Sequence, residues 1–143
     1  MNINFDDGVK TFEINNDPNR VIKFNPSDLN LINRLAEAEK KIKELVEEAK
    51  EFKATSKDTM ALFNKLNETE KECREQFNYI FGEEYDHIVF GQQSIFSVSK
   101  GKTIMENFVD ALLEEVSPIL KEEQAKFDKN VSKYKEQYDR DIA

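Results

Sequence analysis

Two side chains in this sequence could begin a nucleophilic reaction: Cys73 and His87. A thiol reacts as thiolate, which needs a base or a positive field beside it. The pattern around Cys73 is neither electropositive nor strained. Cys73 also falls on an apolar helical stripe, where a small buried hydrophobe is its expected role. His87 is the only histidine and there is no cysteine pair, so no zinc-ligand pattern exists. Asp6-Asp7-Gly8 begins like a calcium loop but lacks the later ligands and the terminal Glu. Gly82 and Gly91 are too far apart for a phosphate-cradling loop. Acidic pairs are abundant, yet they sit on amphipathic helical patterns as solvated faces. No catalytic residue, cofactor site or metal site is expected, and the chain reads as a non-enzyme.

Charge narrows the partners. The 143 residues carry a formal net charge of −8, and charged residues make up 35%. Phosphate backbones attract basic surfaces, so nucleic acid is not the expected partner. The acids alternate with lysines, as in Glu37-Ala38-Glu39-Lys40-Lys41, the pattern of a solvated helix with i,i+4 pairs. A DNA mimic would need rows of carboxylates without Lys. Cys73 alone makes no disulfide framework, and a reducing compartment suits it. No signal peptide or membrane-length apolar run is visible, so the expected location is cytoplasmic, with no membrane partner.

The elements follow from periodicity. Val9–Ile14 and Val21–Phe24 alternate polar and apolar around the turn formers Asn15-Asn16-Asp17-Pro18-Asn19. This predicts an N-terminal β-hairpin within residues 1–25, with a third short strand at Ile3–Phe5. A lone hairpin is marginal in water, so the helices or a partner must cover it. Residues 26–143 read as helical, and the whole as one domain. Ser27 is the expected first N-cap. From Leu29 to about Lys53 the heptad seam Leu31, Leu35, Ala38, Ile42, Leu45, Ala49, Phe52 predicts one arm of an antiparallel helical hairpin, preferred to an intermolecular coiled coil. After a break at 54–56, with Ser56 as the second N-cap, the stripe Met60, Phe63, Leu66, Cys73, Phe77, Ile80 predicts the other arm. Glu70 interrupts that stripe. A short two-turn helix is expected between Gly82 and Gly91, each placed as a helix C-cap, followed by a turn at Ser97–Lys102. Thr103 with Glu106 forms a capping-box pattern. It opens a long last helix through Met105, Phe108, Leu112, Val116 and Ile119, kinked or restarted at Pro118. Its stripe then thins to Phe127, Val131, Tyr134 and Tyr138, and this tail packs, zips with another subunit, or frays. The fold class is mainly α.

Two stretches carry a family resemblance. One is Asn19-Arg20-Val21-Ile22-Lys23-Phe24-Asn25-Pro26-Ser27-Asp28. The other runs from Phe81-Gly82 through Val89-Phe90-Gly91-Gln92-Gln93-Ser94-Ile95-Phe96 and Gly101-Lys102 to Phe108-Val109-Asp110-Ala111-Leu112 and Val116-Ser117-Pro118-Ile119. Together they resemble small proteins from the tail-morphogenesis regions of phages and prophages of Gram-positive bacteria, some of which are tail assembly chaperones. The resemblance spans most of residues 5–120 and contains no signature of a single activity. It departs from the pattern at Glu83-Glu84-Tyr85 and Gln92–Ile95. It implies a non-catalytic protein in the host cytoplasm that holds helical segments of a tape-measure-like chain, and a homo-oligomer is a further expectation.

The candidate partner-binding residues are Phe81, Val89, Phe90, Phe96, Phe108 and Leu112, around a Phe-Gly loop and the last helix. Taken singly, each Phe reads more readily as core than as a binding residue, given the burial preference of Phe. Two other functions stand beside the chaperone: a structural virion or scaffold subunit, and a small acidic phage inhibitor of a host defence protein.

Overall fold

The computed structural model describes residues 1–142, including their side chains except those of Tyr134, Tyr138, Asp141 and Ile142. In chain order the elements are β1 (Lys10–Ile14), β2 (Asp17–Phe24), α1 (Leu29–Thr55), α2 (Thr59–Phe81), α3 (Asp86–Phe90), β3 (Val98–Ser99), β4 (Lys102–Thr103) and α4 (Ile104–Ile142). The chain divides into two units, Met1–Asn107 and Phe108–Ala143. The mainly α class, the N-terminal hairpin, the paired helices and the long last helix all agree with the sequence reading.

The hairpin turns at Asn15 and Asn16, both at positive φ (52° and 61°). Asn tolerates this left-handed region, and two such residues match the twist of the flanking strands. The ladder then shifts register: Ile14 faces Asp17, but Glu13 faces Val21. Pro18, which has no N–H to give a ladder, lies in the bulged stretch between those partners. The shift puts Arg20, Ile22 and Phe24 on one face with Phe12, and the Phe12 and Phe24 rings stack at 4.5 Å. The strand expected at Ile3–Phe5 is absent. Residues 1–9 form no strand, and Ile3 and Phe5 are exposed.

Asp28, not Ser27, caps α1: its Oδ1 accepts from the Asn30 N–H at 2.9 Å. Ser27 instead donates its N–H and hydroxyl to Asn25 Oδ1. Likewise Asp58, not Ser56, caps α2, accepting from Met60 and Ala61. Ser56 closes α1, its N–H donating to the Phe52 carbonyl. Of the predicted α1 seam, Leu31, Ala38, Leu45 and Ala49 are buried and Leu35, Ile42 and Phe52 half-buried. On α2 the buried residues are Thr69, Cys73, Phe77 and Ile80. Met60, Phe63 and Leu66, expected on that same stripe, are 66%, 56% and 39% exposed.

Gly82 ends α2 in the left-handed region (φ 71°, ψ 16°), the conformation a helix C-terminal glycine supplies. The helix between the glycines is five residues rather than two turns. The turn at 97–102 is a miniature hairpin, β3–β4, about Lys100 and Gly101 at positive φ. The Thr103–Glu106 capping box forms: Glu106 N–H donates to Thr103 Oγ1 at 3.1 Å, and Thr103 donates back to Glu106 Oε1. Helix α4 runs unbroken through Pro118, so no restart occurs there. Its stripe residues Phe127 and Val131 are exposed, and the Tyr134 and Tyr138 side chains lie outside those described.

Candidate functional site

One face of α2 places Glu70, Arg74 and Asn78 a helical turn apart, and all three reach the loop that follows. The Arg74 guanidinium pairs with Glu70 (3.2 Å) and Asp86 (3.0 Å) and donates to the carbonyls of Gly91 (3.2 Å) and Gln93 (2.7 Å). Asn78 and Asp86 bond reciprocally at 2.9 Å: the Asn78 amide donates to the carboxylate, and the Asp86 N–H donates to the Asn78 side-chain oxygen. Glu70 also accepts from Ser94 Oγ (2.7 Å) and the Ile95 N–H (2.9 Å). This explains the acid that interrupts the apolar stripe. Glu70 is the acceptor that fixes the Ser94–Ile95 turn, and Ile95 seats in the core.

Burial alone would raise the Asp86 carboxyl. The Asn78 amide, the Arg74 guanidinium and the adjacent His87 outweigh it and hold Asp86 below its ordinary value. Cys73 moves the other way. Burial, reinforced by Glu70 and Glu72, pushes its thiol up to about 12. At neutral pH it is a thiol, the form that is neither nucleophile nor metal ligand. The His87 side chain is 74% exposed, with its Nε2 3.6 Å from Asp86. Among the described residues, no group of three His, Cys, Asp or Glu side chains is placed to hold a metal ion.

The predicted binding residues separate. Phe90 and Val89 are 3% and 6% exposed and belong to the core. Phe90 meets Phe77 edge-on at 4.8 Å, and Phe81 joins Phe24, Phe77 and Tyr85 at 5.3–5.6 Å. These rings fasten the hairpin to α2 and α3. Arg20 completes the joint by donating to the carbonyls of Ile88 (2.9 Å) and Val89 (2.6 Å). The Tyr85 hydroxyl bonds the Lys23 backbone on both its N–H and carbonyl sides. The surface the hairpin needed is therefore in its own chain. Phe96 is half-buried and lines an open groove of about 530 Å³ with Leu66, Glu70, Arg74 and His87. Phe108 and Leu112 lie on α4, in the second unit.

Sequence reasoning missed the row that leads into this groove. Met60, Phe63 and Leu66 are spaced three apart on one side of α2 and are all exposed. The interruption at Glu70 was the available signal. Beyond it the buried face continues N-terminally through Thr69, and the apolar row before it diverges to solvent. No described helix is long and apolar enough to cross a membrane. No protein-family model, curated protein or solved structure matches the chain.

Proposed function

We propose that this chain is a non-catalytic protein that binds an amphipathic helix of another protein along α2. The supporting observation is the exposed row Met60, Phe63 and Leu66, continuous through Leu66 with the groove that Phe96 lines. Helix-in-groove recognition uses anchors at such spacing. Exposed large apolar side chains in a contiguous row mark interaction surfaces more often than scattered ones do. The net charge of −8 favours an occupant with basic flanks. On the resemblance to phage tail-morphogenesis proteins, the occupant we propose is a helical segment of a tape-measure chain, held during tail assembly. Of the candidate residues, Phe96 stays in the binding role, while Val89, Phe90 and Phe81 shape the scaffold beneath it.

Co-expression with the helix-rich tape-measure protein of the same tail region tests this. The wild type co-purifies with it, and Phe63→Glu does not, although Phe63→Glu folds normally. Equal recovery by both proteins contradicts the reading. A structural virion or scaffold subunit is the second reading. Met1, Ile3 and Phe5 support it, because they are exposed at alternating positions and could add as a strand to a neighbouring sheet. A discrete small oligomer in sedimentation supports the helix-binding reading, and a ring or tube supports the structural one.

A further inference from the structure

The second unit carries an unpartnered coiled-coil seam. Along α4, Leu113, Leu120 and Phe127 repeat every seven residues, and Ser117, Gln124 and Val131 fall four after each. Together they make the 3,4 spacing of a d/a seam. Leu113, Phe127 and Val131 are 47%, 62% and 50% exposed, and Leu120 is half-buried. The two polar seam residues each place a donor within the helix. Ser117 Oγ donates to the Leu113 carbonyl at 2.6 Å, and Gln124 Nε2 donates to Asp128 Oδ1 at 3.0 Å. A partner helix on this seam therefore meets a Ser117 whose single donor is already used and a Gln124 that keeps its amide oxygen and second N–H for a polar layer across the pair.

The flanking charges say what that partner is. The positions directly after Leu113, Leu120 and Phe127, and after position 134 one heptad on, are Glu114, Lys121, Asp128 and Lys135, alternating in sign and all exposed. In an antiparallel pair of identical helices, flanking positions of this kind face each other. When Leu120 meets the second copy's Val131, and Phe127 its Gln124, Lys121 faces Asp128 and Glu114 faces Lys135, each twice by symmetry. Sliding the pair one heptad either way brings Lys121 onto Lys121 or Asp128 onto Asp128. In a parallel pair, Glu123 faces Asp128. Of these arrangements the centred antiparallel one matches every sign, and like charges set against each other select against its one-heptad neighbours and the parallel pair.

We infer that α4 is a homodimerisation helix, pairing antiparallel with the same helix of a second copy, centred between Gln124 and Phe127. The isologous contact closes on itself, giving a dimer and not a filament. It also holds two copies of the first unit in one assembly, so a long helical partner would be gripped at two places.

Charge swapping in the full-length chain tests both partner and register. Light scattering gives a mass twice the 16.7 kDa of one chain. Lys121→Glu and Asp128→Lys each weaken the dimer about tenfold, since each turns two attractive pairs into repulsive ones. The double variant Lys121→Glu/Asp128→Lys restores wild-type affinity. Phe127→Asp gives a folded monomer, because Phe127 is exposed in the single chain. A wild type that stays monomeric at high micromolar concentration overturns the inference. So does a dimer indifferent to Phe127→Asp, or a double variant no better than the singles.

Discussion

The two halves of α2 carry the same apolar periodicity and meet opposite fates. In the C-terminal half, Cys73, Phe77 and Ile80 are buried to 4% exposure or less. In the N-terminal half, Met60, Phe63 and Leu66 are at least 39% exposed. The difference is polar in origin. Glu70, Arg74 and Asn78 bind the 86–95 segment to the C-terminal half, and the aromatic cluster with the hairpin closes over it. Among the described residues, the 60–66 stretch holds no loop in this way, and Lys65 pairs instead with Glu48 of α1. A stripe marks a helix as amphipathic, but a polar anchor beside it decides whether the chain itself supplies the cover.

The strongest way to break this comparison is to remove the anchor. Arg74→Ala leaves Asp86 buried without its cation and frees two loop carbonyls. It should cost about 3–5 kcal/mol of stability, by the rule for breaking a buried pair. Denaturant unfolding measures this, and a loss below ~1 kcal/mol would show that the loop holds without Arg74. Phe77→Ala should cost about 3–5 kcal/mol as well, from lost burial and a cavity at the centre of the cluster.

A smaller effect sharpens the electrostatic part. Asp86 titrates below its ordinary value of 3.8 in the folded chain. Its stabilisation is therefore present above that value and is lost as pH falls through the lower, folded value. The wild type should lose stability below about pH 4, as the carboxyl takes up a proton. Asp86→Asn should be weaker at neutral pH by roughly 1.5–3 kcal/mol, the range for hydrogen bonds to a charged group. Its acid limb should also be shallower, and parallel acid limbs in the two proteins would rule Asp86 out as the source.

The smallest effect belongs to the exposed half. Phe63→Glu should change stability by less than about 0.5 kcal/mol, as surface substitutions do. A loss as large as that of Phe77→Ala would mean that Phe63 is structural and the row is not a free surface.

Much of the fold was legible because local rules agreed with it. The α1 seam, the Thr103–Glu106 capping box, the Gly82 C-cap and the Asn-rich turn all depend on neighbours within a few residues. The N-caps slipped by one and two residues because Ser and Asp are equally good caps. The path of the chain into each helix, not residue preference, chose Asp28 and Asp58. Ile3–Phe5 alternates like a strand but pairs with neither open edge of the β1–β2 hairpin. The site was less legible. The fourfold spacing of Glu70, Arg74 and Asn78 is visible in the sequence, whereas their acceptors at 86–95 are set by tertiary folding. That same folding sent Val89 and Phe90 inward and left Met60 and Phe63 outside.

Hydrogen exchange along α2 tests the central claim most directly, read with and without the helical partner segment. The account predicts new protection confined to residues 58–67 and the Phe96 loop, with the already slow amides of 73–80 unchanged. Protection elsewhere, with 58–67 exchanging as in the free protein, would contradict it.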